Sequence, residues 1–362
     1  MPKFYEVFGQ RASSSLPKSL LVDAICPLTH TGCDGGGNRH QTKLSAKDLE
    51  NLFPLENKVD GKIPAICSIT YEKPNQQWVV CPRRLFAFPK NADKQVNFEP
   101  IICDHEQDLI NELGFRSGCK IGIYPEVYLK YSDDESEINY HFDYVICEVL
   151  ENQITLGELW KVLSITDQQE KSRYKKSLRD NGLITTGAKD HTRIKLFPNL
   201  EKMAIIEVMT ASTSGSNKEK GTDIKSAYLK FLSGEGYDCP GINKRQVWGR
   251  MATQLFAKSA ITENWGAKTY WVVQDKLLEN ICKTTKLKIE PQDNLSSSIN
   301  FISFSYGTDG DLSLSQSVSI DSGIDFSGTG KGIDILLAKT YPSKQVLLSC
   351  MLRSQLSSVI SL

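Results

Sequence analysis

The sequence predicts an α/β protein: a mixed central sheet flanked by helices, with a cysteine-rich module at its N-terminus. Two patterns carry that expectation. Strand-like runs at 140–150 and 203–209 alternate along the chain with helical patterns at 223–232 and 243–260. Four of the ten cysteines, the run Gly35-Gly36-Gly37 and several prolines crowd into the first 90 residues. The 362 residues, 40% hydrophobic and 24% charged, describe a folded globular chain and exclude a disordered tail, a collagen-like repeat or a small disulfide scaffold. No run reaches the roughly 18 uninterrupted apolar residues of a membrane span. The opening MPKFYEVFGQR carries charge where an export signal has its apolar stretch, so a cytoplasmic protein with no membrane contact and with reduced or metal-bound thiols is expected.

In chain order, nothing before about residue 60 shows clear periodicity, so this Gly- and Pro-punctuated segment needs something other than regular structure to hold it. Residues 66–71 and 78–81 predict two strands around the turn Lys73-Pro74-Asn75. Residues 104–113 predict a short amphipathic helix with Leu109, Ile110 and Leu113 on one side. Three strands are predicted at 120–124, 127–131 and 140–150; the last alternates Phe142, Tyr144 and Ile146 with Asp143, Val145 and Cys147. Residues 203–209 are almost wholly apolar, the pattern of a central strand. Of the two later helices, the second stacks Val247, Met251 and Leu255 four residues apart. Residues 270–278 fit strand or helix. Beyond residue 290 the Ser- and Gly-rich chain predicts strands and loops rather than helices, and no internal repeat is present.

Net charge is zero, 43 basic against 43 acidic residues, which argues against a purely electrostatic nucleic-acid binder but leaves room for a local basic surface. Residues 160–195 supply one, with nine Lys or Arg against four acids. The run from Ser172 to Arg179 interleaves Tyr174 with Arg173, Lys175, Lys176 and Arg179, a face suited to phosphates or, as readily, a solvated helix face.

Four thiolates at Cys26, Cys33, Cys67 and Cys81 would make a tetrahedral site for zinc or iron, supplying folding energy where no core exists. Their spacing, six residues and thirteen, is not that of a zinc knuckle, and buried thiols fit as well; His30 and His40 are alternative donors. The other six cysteines look like scattered core positions. Asp143 and Glu207 sit inside apolar strands, where a carboxylate is costly unless paired or bound to a cation. On adjacent strands they would offer oxygens to Mg²⁺, which can activate water and neutralise a phosphodiester transition state. The segment Gly328-Thr329-Gly330-Lys331-Gly332 lacks the order of a phosphate-binding loop and predicts a turn.

Taken in order, these landmarks resemble the NotI-type restriction endonucleases. Val7-Phe8-Gly9-Gln10-Arg11 resembles that family's Phe-Gly-x-Arg, Cys26-Pro27-Leu28 its Cys-Pro-Phe, and Trp78-Val79-Val80-Cys81-Pro82-Arg83-Arg84 its Trp-Leu-Val-Cys-Pro-Asn-Arg. Phe142-Asp143-Tyr144 with Glu148-Val149, Ile206-Glu207-Val208-Met209-Thr210, and the stretch from Gly241-Ile242-Asn243 to Gln254-Leu255-Phe256-Ala257-Lys258 continue the match. The resemblance implies a PD-(D/E)XK nuclease core, Mg²⁺-dependent cleavage of double-stranded DNA, and an iron site at Cys26, Cys33, Cys67 and Cys81, with zinc as the alternative. It implies catalytic roles for Asp143 and Glu207 as magnesium ligands, with Glu126 the nearest match to an upstream glutamate. Two departures stand out: the acids are farther apart than in the family, and the place of its usual lysine or glutamine is taken by Met209, whose thioether cannot orient water. Either Thr210, Lys202 or Lys218 takes that role, or the metals do it alone, or activity is impaired.

The expected organisation is a cysteine-rich metal-binding module at 1–100, a nuclease core from 101–150 and 201–362, and a basic helical insertion at 151–200. The expected function is that of a homodimeric type II restriction endonuclease cutting a palindromic site, its two-fold symmetry matching that of the DNA. Asn243, Lys244, Arg245 and Arg250 are candidate base readers or, on the same face, dimer contacts; Lys175, Lys176 and Arg179 are candidate phosphate contacts. The alternative is a non-catalytic, metal-stabilised DNA-binding regulator.

Overall fold

The computed structural model describes residues 2–12, 20, 23–35, 43–49, 61, 63, 65–71, 76–90, 95–132, 137–213, 223–285, 299–320 and 341–362. The first part of the chain is more regular than its sequence suggests. Strand β1 (Pro2–Val7) pairs with β2 (Gln10–Arg11) and, after a short helix α1 (Ala46–Leu49), with β3 (Ile66–Tyr71), which in turn pairs with β4 (Gln76–Val79). All these pairings are antiparallel. The turn expected at 73–75 and the Gly-rich segment at 328–332 lie outside the described residues.

The chain continues with α2 (Asp104–Glu112), β5 (Lys120–Ser132), β6 (Glu137–Glu151), α3 (Leu156–Val162), α4 (Gln168–Asp180), β7 (Leu196–Met209), β8 (Ser212–Thr213), α5 (Ile224–Leu232), β9 (Ile242–Asn243), α6 (Lys244–Asn264), β10 (Lys268–Gln274), α7 (Asp275–Thr285), β11 (Ile299–Tyr306), β12 (Leu312–Ile320), α8 (Lys344–Arg353) and β13 (Ser358–Ser361). Strands β8 and β9 pair with each other, and the rest of these strands form a second, larger sheet. Its seven strands run β12-β11-β10-β7-β6-β5-β13; β10 is parallel to both neighbours and the remaining pairings are antiparallel, so the sheet is mixed. Two strands expected at 120–124 and 127–131 are one: the β5–β6 register passes through Pro125 and Glu126 without a shift. The ambiguous 270–278 divides into the end of β10 and the start of α7. Helix α8 departs from the expectation of strands and loops. It buries Leu347, Leu348 and Met351, an apolar stripe masked in the sequence by its Ser-rich surroundings.

Helices cover both faces. On one, α3, α4 and α8 pack Leu159, Trp160, Leu178 and Met351 against Val127, Val145, Cys147 and Ile205, and α6 lays Val247, Met251 and Leu255 over Trp271 and Val273. On the other, Leu109 and Ile110 of α2 join Phe86 and Phe88 against Ile123, Ile146, Ile206 and Val272. The N-terminal sheet has its own apolar core, in which Phe4, Val7, Ile66 and Ile69 meet Ala227, Tyr228 and Phe231 of α5. This corrects the expectation of a segment with no regular structure and no core of its own. A buried cluster on Glu6 fastens it to the large sheet: Arg84 Nε, from the turn after β4, lies 3.1 Å from Glu6 Oε1, Ser68 of β3 donates to Oε2, and the hydroxyl of Tyr306, from β11 of the large sheet, donates to Oε2 as well. Of the six other cysteines, Cys147, Cys239 and Cys350 are buried, but Cys103, Cys119 and Cys282 are only partly so.

Helices α3 and α4 fill the connection from β6 to β7, leaving at Glu151 and returning at Leu196, which pair with each other. Asp143 lies eight residues back along β6, about 26 Å at strand rise. The connection that carries the basic helices therefore leaves and rejoins the ribbon at the end opposite the acids.

Candidate functional site

Three carboxylates share one level of the sheet. Tyr144 pairs with Ile206, and one step further in that register sets Asp143 opposite Glu207. Pro125 pairs with Tyr144 and Val127 with Phe142, which sets Glu126 opposite Asp143. Alternation turns Asp143 and Glu207 toward the face covered by α6. Glu126 adopts φ +54°, a left-handed conformation uncommon for a non-glycine residue.

Each carboxylate is held differently. Asp143 Oδ2 accepts the Val208 N–H at 2.9 Å. Glu207, 2% exposed, places Oε2 2.5 Å from Lys258 Nζ, while its buried Oε1 has no hydrogen-bond partner. Glu126 Oε1 is 3.8 Å from Arg83, and its Oε2 is 2.6 Å from His141 Nε2, close but off the hydrogen-bond axis. Burial, then the neighbouring Asp143, pushes the Glu207 carboxyl up, against the pull of Lys258. Burial also raises Asp143, opposed by Lys258 and the Val208 N–H. The His141 contact holds Glu126 below the usual carboxylate range. Two neighbouring acids, Glu207 buried and Asp143 half-buried, that resist ionising together are the electrostatic setting of a cation site.

These groups line a cavity of about 580 Å³ together with Arg83, Met209, Arg250, Gln254 and Lys258. Met209 thus shares the cavity with the acids, as strand alternation requires. Arg83 is anchored 3.3 Å from both Asp34 and the Tyr144 hydroxyl. Lys258 is the residue that sequence reasoning passed over. Its signal was present: Arg250, Gln254 and Lys258 recur every four residues along α6, a polar stripe beside the apolar Val247-Met251-Leu255.

The other candidates are dispersed. Asn243 lies in β9, Lys244 and Arg245 fall at the start of α6 where side chains lie outside the described residues, and Arg250 is exposed at the cavity edge. Lys175, Lys176 and Arg179 line a groove of about 350 Å³ with Arg173 on the distant helical piece. Lys175 sits 3.6 Å from Asp190 and Arg179 4.0 Å from Asp180, so part of the excess charge is locally balanced.

Cys26, Cys33, Cys67 and Cys81 line one cavity of about 150 Å³. Backbone N–H groups already point at three sulfurs: Gly9 to Cys67 at 3.2 Å, Gly35 to Cys33 at 3.4 Å, and Arg83 to Cys81. Burial pushes the Cys33 thiol up to about 11, the Cys81 thiol up to about 12, and the Cys67 thiol up as well. His30 is exposed and outside this cavity; His40 lies outside the described residues. Among the described residues, no three His, Cys, Asp or Glu side chains stand as a ready metal centre. The thiols match a structural metal in kind without being drawn into a coordination sphere, and the acids form a facing pair with Glu126 standing off. Among the described residues, no helix is long and apolar enough to cross a membrane. Against known proteins, the chain matches no family model and no curated relative.

Proposed function

We propose that the chain is a Mg²⁺-dependent nuclease of double-stranded DNA, a homodimer cutting a palindromic site in the manner of the NotI-type restriction endonucleases it resembles. The observation that supports this is the row of Glu126, Asp143 and Glu207 across three neighbouring strands, beside a buried carboxylate oxygen with no partner. Asp143, oriented by the Val208 N–H, and Glu207 through Oε1 offer the hard oxygens that Mg²⁺ prefers. Bound there, Mg²⁺ would neutralise charge at the scissile phosphate and acidify a water. Glu126 is steadied by Arg83 and His141 as the third acid. Arg250 and Gln254 face the cavity from α6, where they can meet the phosphate backbone and fix the register of the duplex. Asn243, Lys244 and Arg245 precede them as candidate base readers.

The cysteine cavity is proposed to hold one structural iron, or zinc. Its support is the convergence of four thiols, three of them met by N–H groups that stabilise thiolate sulfur. The test of function is direct: plasmid DNA incubated with the protein and Mg²⁺ should give a fixed set of fragments that a chelator abolishes. DNA that is retarded in a gel but stays intact would favour the non-catalytic regulator.

A further inference from the structure

We infer that Lys258, delivered from α6, supplies the positively charged hydrogen-bond donor that Met209 cannot, and so acts as a catalytic residue of the proposed nuclease. This rests on the nuclease assignment and adds a residue to it. Residue 209 faces the acids from β7, two residues beyond Glu207, and a thioether has no proton to donate. Lys258 reaches the same acids from the facing helix. It is 6% exposed, and its ammonium lies 2.5 Å from Glu207 Oε2 and 5.8 Å above the Phe142 ring.

A purely structural pair would be a poor use of this position. Burying two ions seldom stabilises more than apolar residues of the same size, and a self-sufficient pair would leave no charge uncompensated. Here two carboxylates, Asp143 and Glu207, share one ammonium, and Glu207 Oε1 remains without a partner. That oxygen is left for a ligand to take, as in a site awaiting a cation. The other cations of the cavity are placed differently: Arg83 is engaged with Asp34 and the Tyr144 hydroxyl, and Arg250 is exposed at the rim.

In the proposed step, a water oxygen forms a bond to phosphorus while one phosphate ester bond breaks. The departing oxygen takes a proton from solvent, the new P–OH gives one up, and the products are a phosphomonoester and a hydroxyl. Lys258 gives up no proton in this step. One N–H remains on Glu207, and another donates to the attacking water or to the phosphate oxygen on which charge develops.

Relocating the amine tests this. Lys258→Met should lower the single-turnover cleavage rate by about a hundredfold or more, the usual cost of removing one transition-state donor, with binding of uncleaved duplex in Ca²⁺ changed by less than about threefold. Met209→Lys combined with Lys258→Met, which returns an amine to the β7 position, should recover about tenfold or more of that rate. Lys258→Gln keeps an N–H toward Glu207 without the charge, and carries the comparison if Lys258→Met melts early. A Lys258→Met or Lys258→Gln protein that cuts at the wild-type rate overturns the inference. So does a double variant that folds and binds but is no faster than Lys258→Met. Wild-type protein that cuts no DNA refutes the nuclease assignment itself, a distinct result.

Discussion

Glu126 holds a left-handed backbone in the middle of a long strand, opposite Asp143 and against His141 and Arg83. Such a conformation costs a non-glycine residue about 1–3 kcal/mol, and strain of this kind persists where a site requires it. Glu126→Gly should therefore hold or raise the melting temperature while lowering cleavage, a split that calorimetry and a rate assay on the same preparation would reveal. A fall in stability would mean that the His141 and Arg83 contacts outweigh the strain. The acids were legible because Asp143 and Glu207 interrupt apolar strands, and a carboxylate in such a place has few innocent explanations. Lys258 was not, because a lysine on a helix is ordinary until the tertiary fold turns it onto a strand 51 residues earlier.

Elements were legible where one face alternates or repeats, as in β6, β7 and α6. They were missed where the signal was split or diluted, as in β5 across Pro125 and in α8. The connection between β6 and β7 shows how topology revises a charge argument. Its cations gather on one groove, but the connection leaves and rejoins the ribbon about 26 Å along the strand from Asp143, so under the proposed function they are expected to meet DNA flanking the cut. Changing Lys175, Lys176 and Arg179 together to Ala should weaken binding to all sequences. It should reduce the slope of log affinity against log salt by about 0.9 for each phosphate no longer neutralised. An unchanged slope makes this a solvated face.

Helix α2 carries a separate pH dependence. Its His105 is buried edge-on to Phe304, and burial, assisted by Arg84, pushes the imidazole down to about 4 from 6.5. The folded protein then binds fewer protons than the unfolded chain between those values, so stability is complete above about pH 6.5 and is lost as pH falls toward 4. The contribution is roughly 3 kcal/mol. His105→Phe should remove that slope from denaturation curves collected at pH 4.5 and 7; equal slopes in the two proteins would disprove it.

At the scale of the molecule, the N-terminal sheet and the seven-stranded sheet are joined by the Tyr306 hydroxyl on Glu6, the carboxylate that also pairs with Arg84, and the cysteine cavity and the acidic cavity share Asp34 and Arg83 as lining residues. The architecture of a mixed sheet between helices followed from strand and helix alternation. The separate core of the N-terminal sheet did not, because α5, which completes it, lies more than 150 residues later in the chain. Purified protein is expected to carry about one iron or zinc per chain by elemental analysis, and Cys81→Ser should release the metal and melt at lower temperature. Protein without bound transition metal would leave these thiols as buried side chains in a sheet that folds by itself.

The central claim is that the facing Asp143 and Glu207 are the working part of a DNA-cleaving site. Single-turnover cleavage of one duplex in Mg²⁺ by the wild-type protein and by Glu207→Gln, an isosteric change, tests it most directly. The expected result is a discrete cut by the wild type and a rate about a thousandfold or more lower in the variant, with DNA binding retained. A Glu207→Gln protein that cuts as fast as the wild type would contradict it.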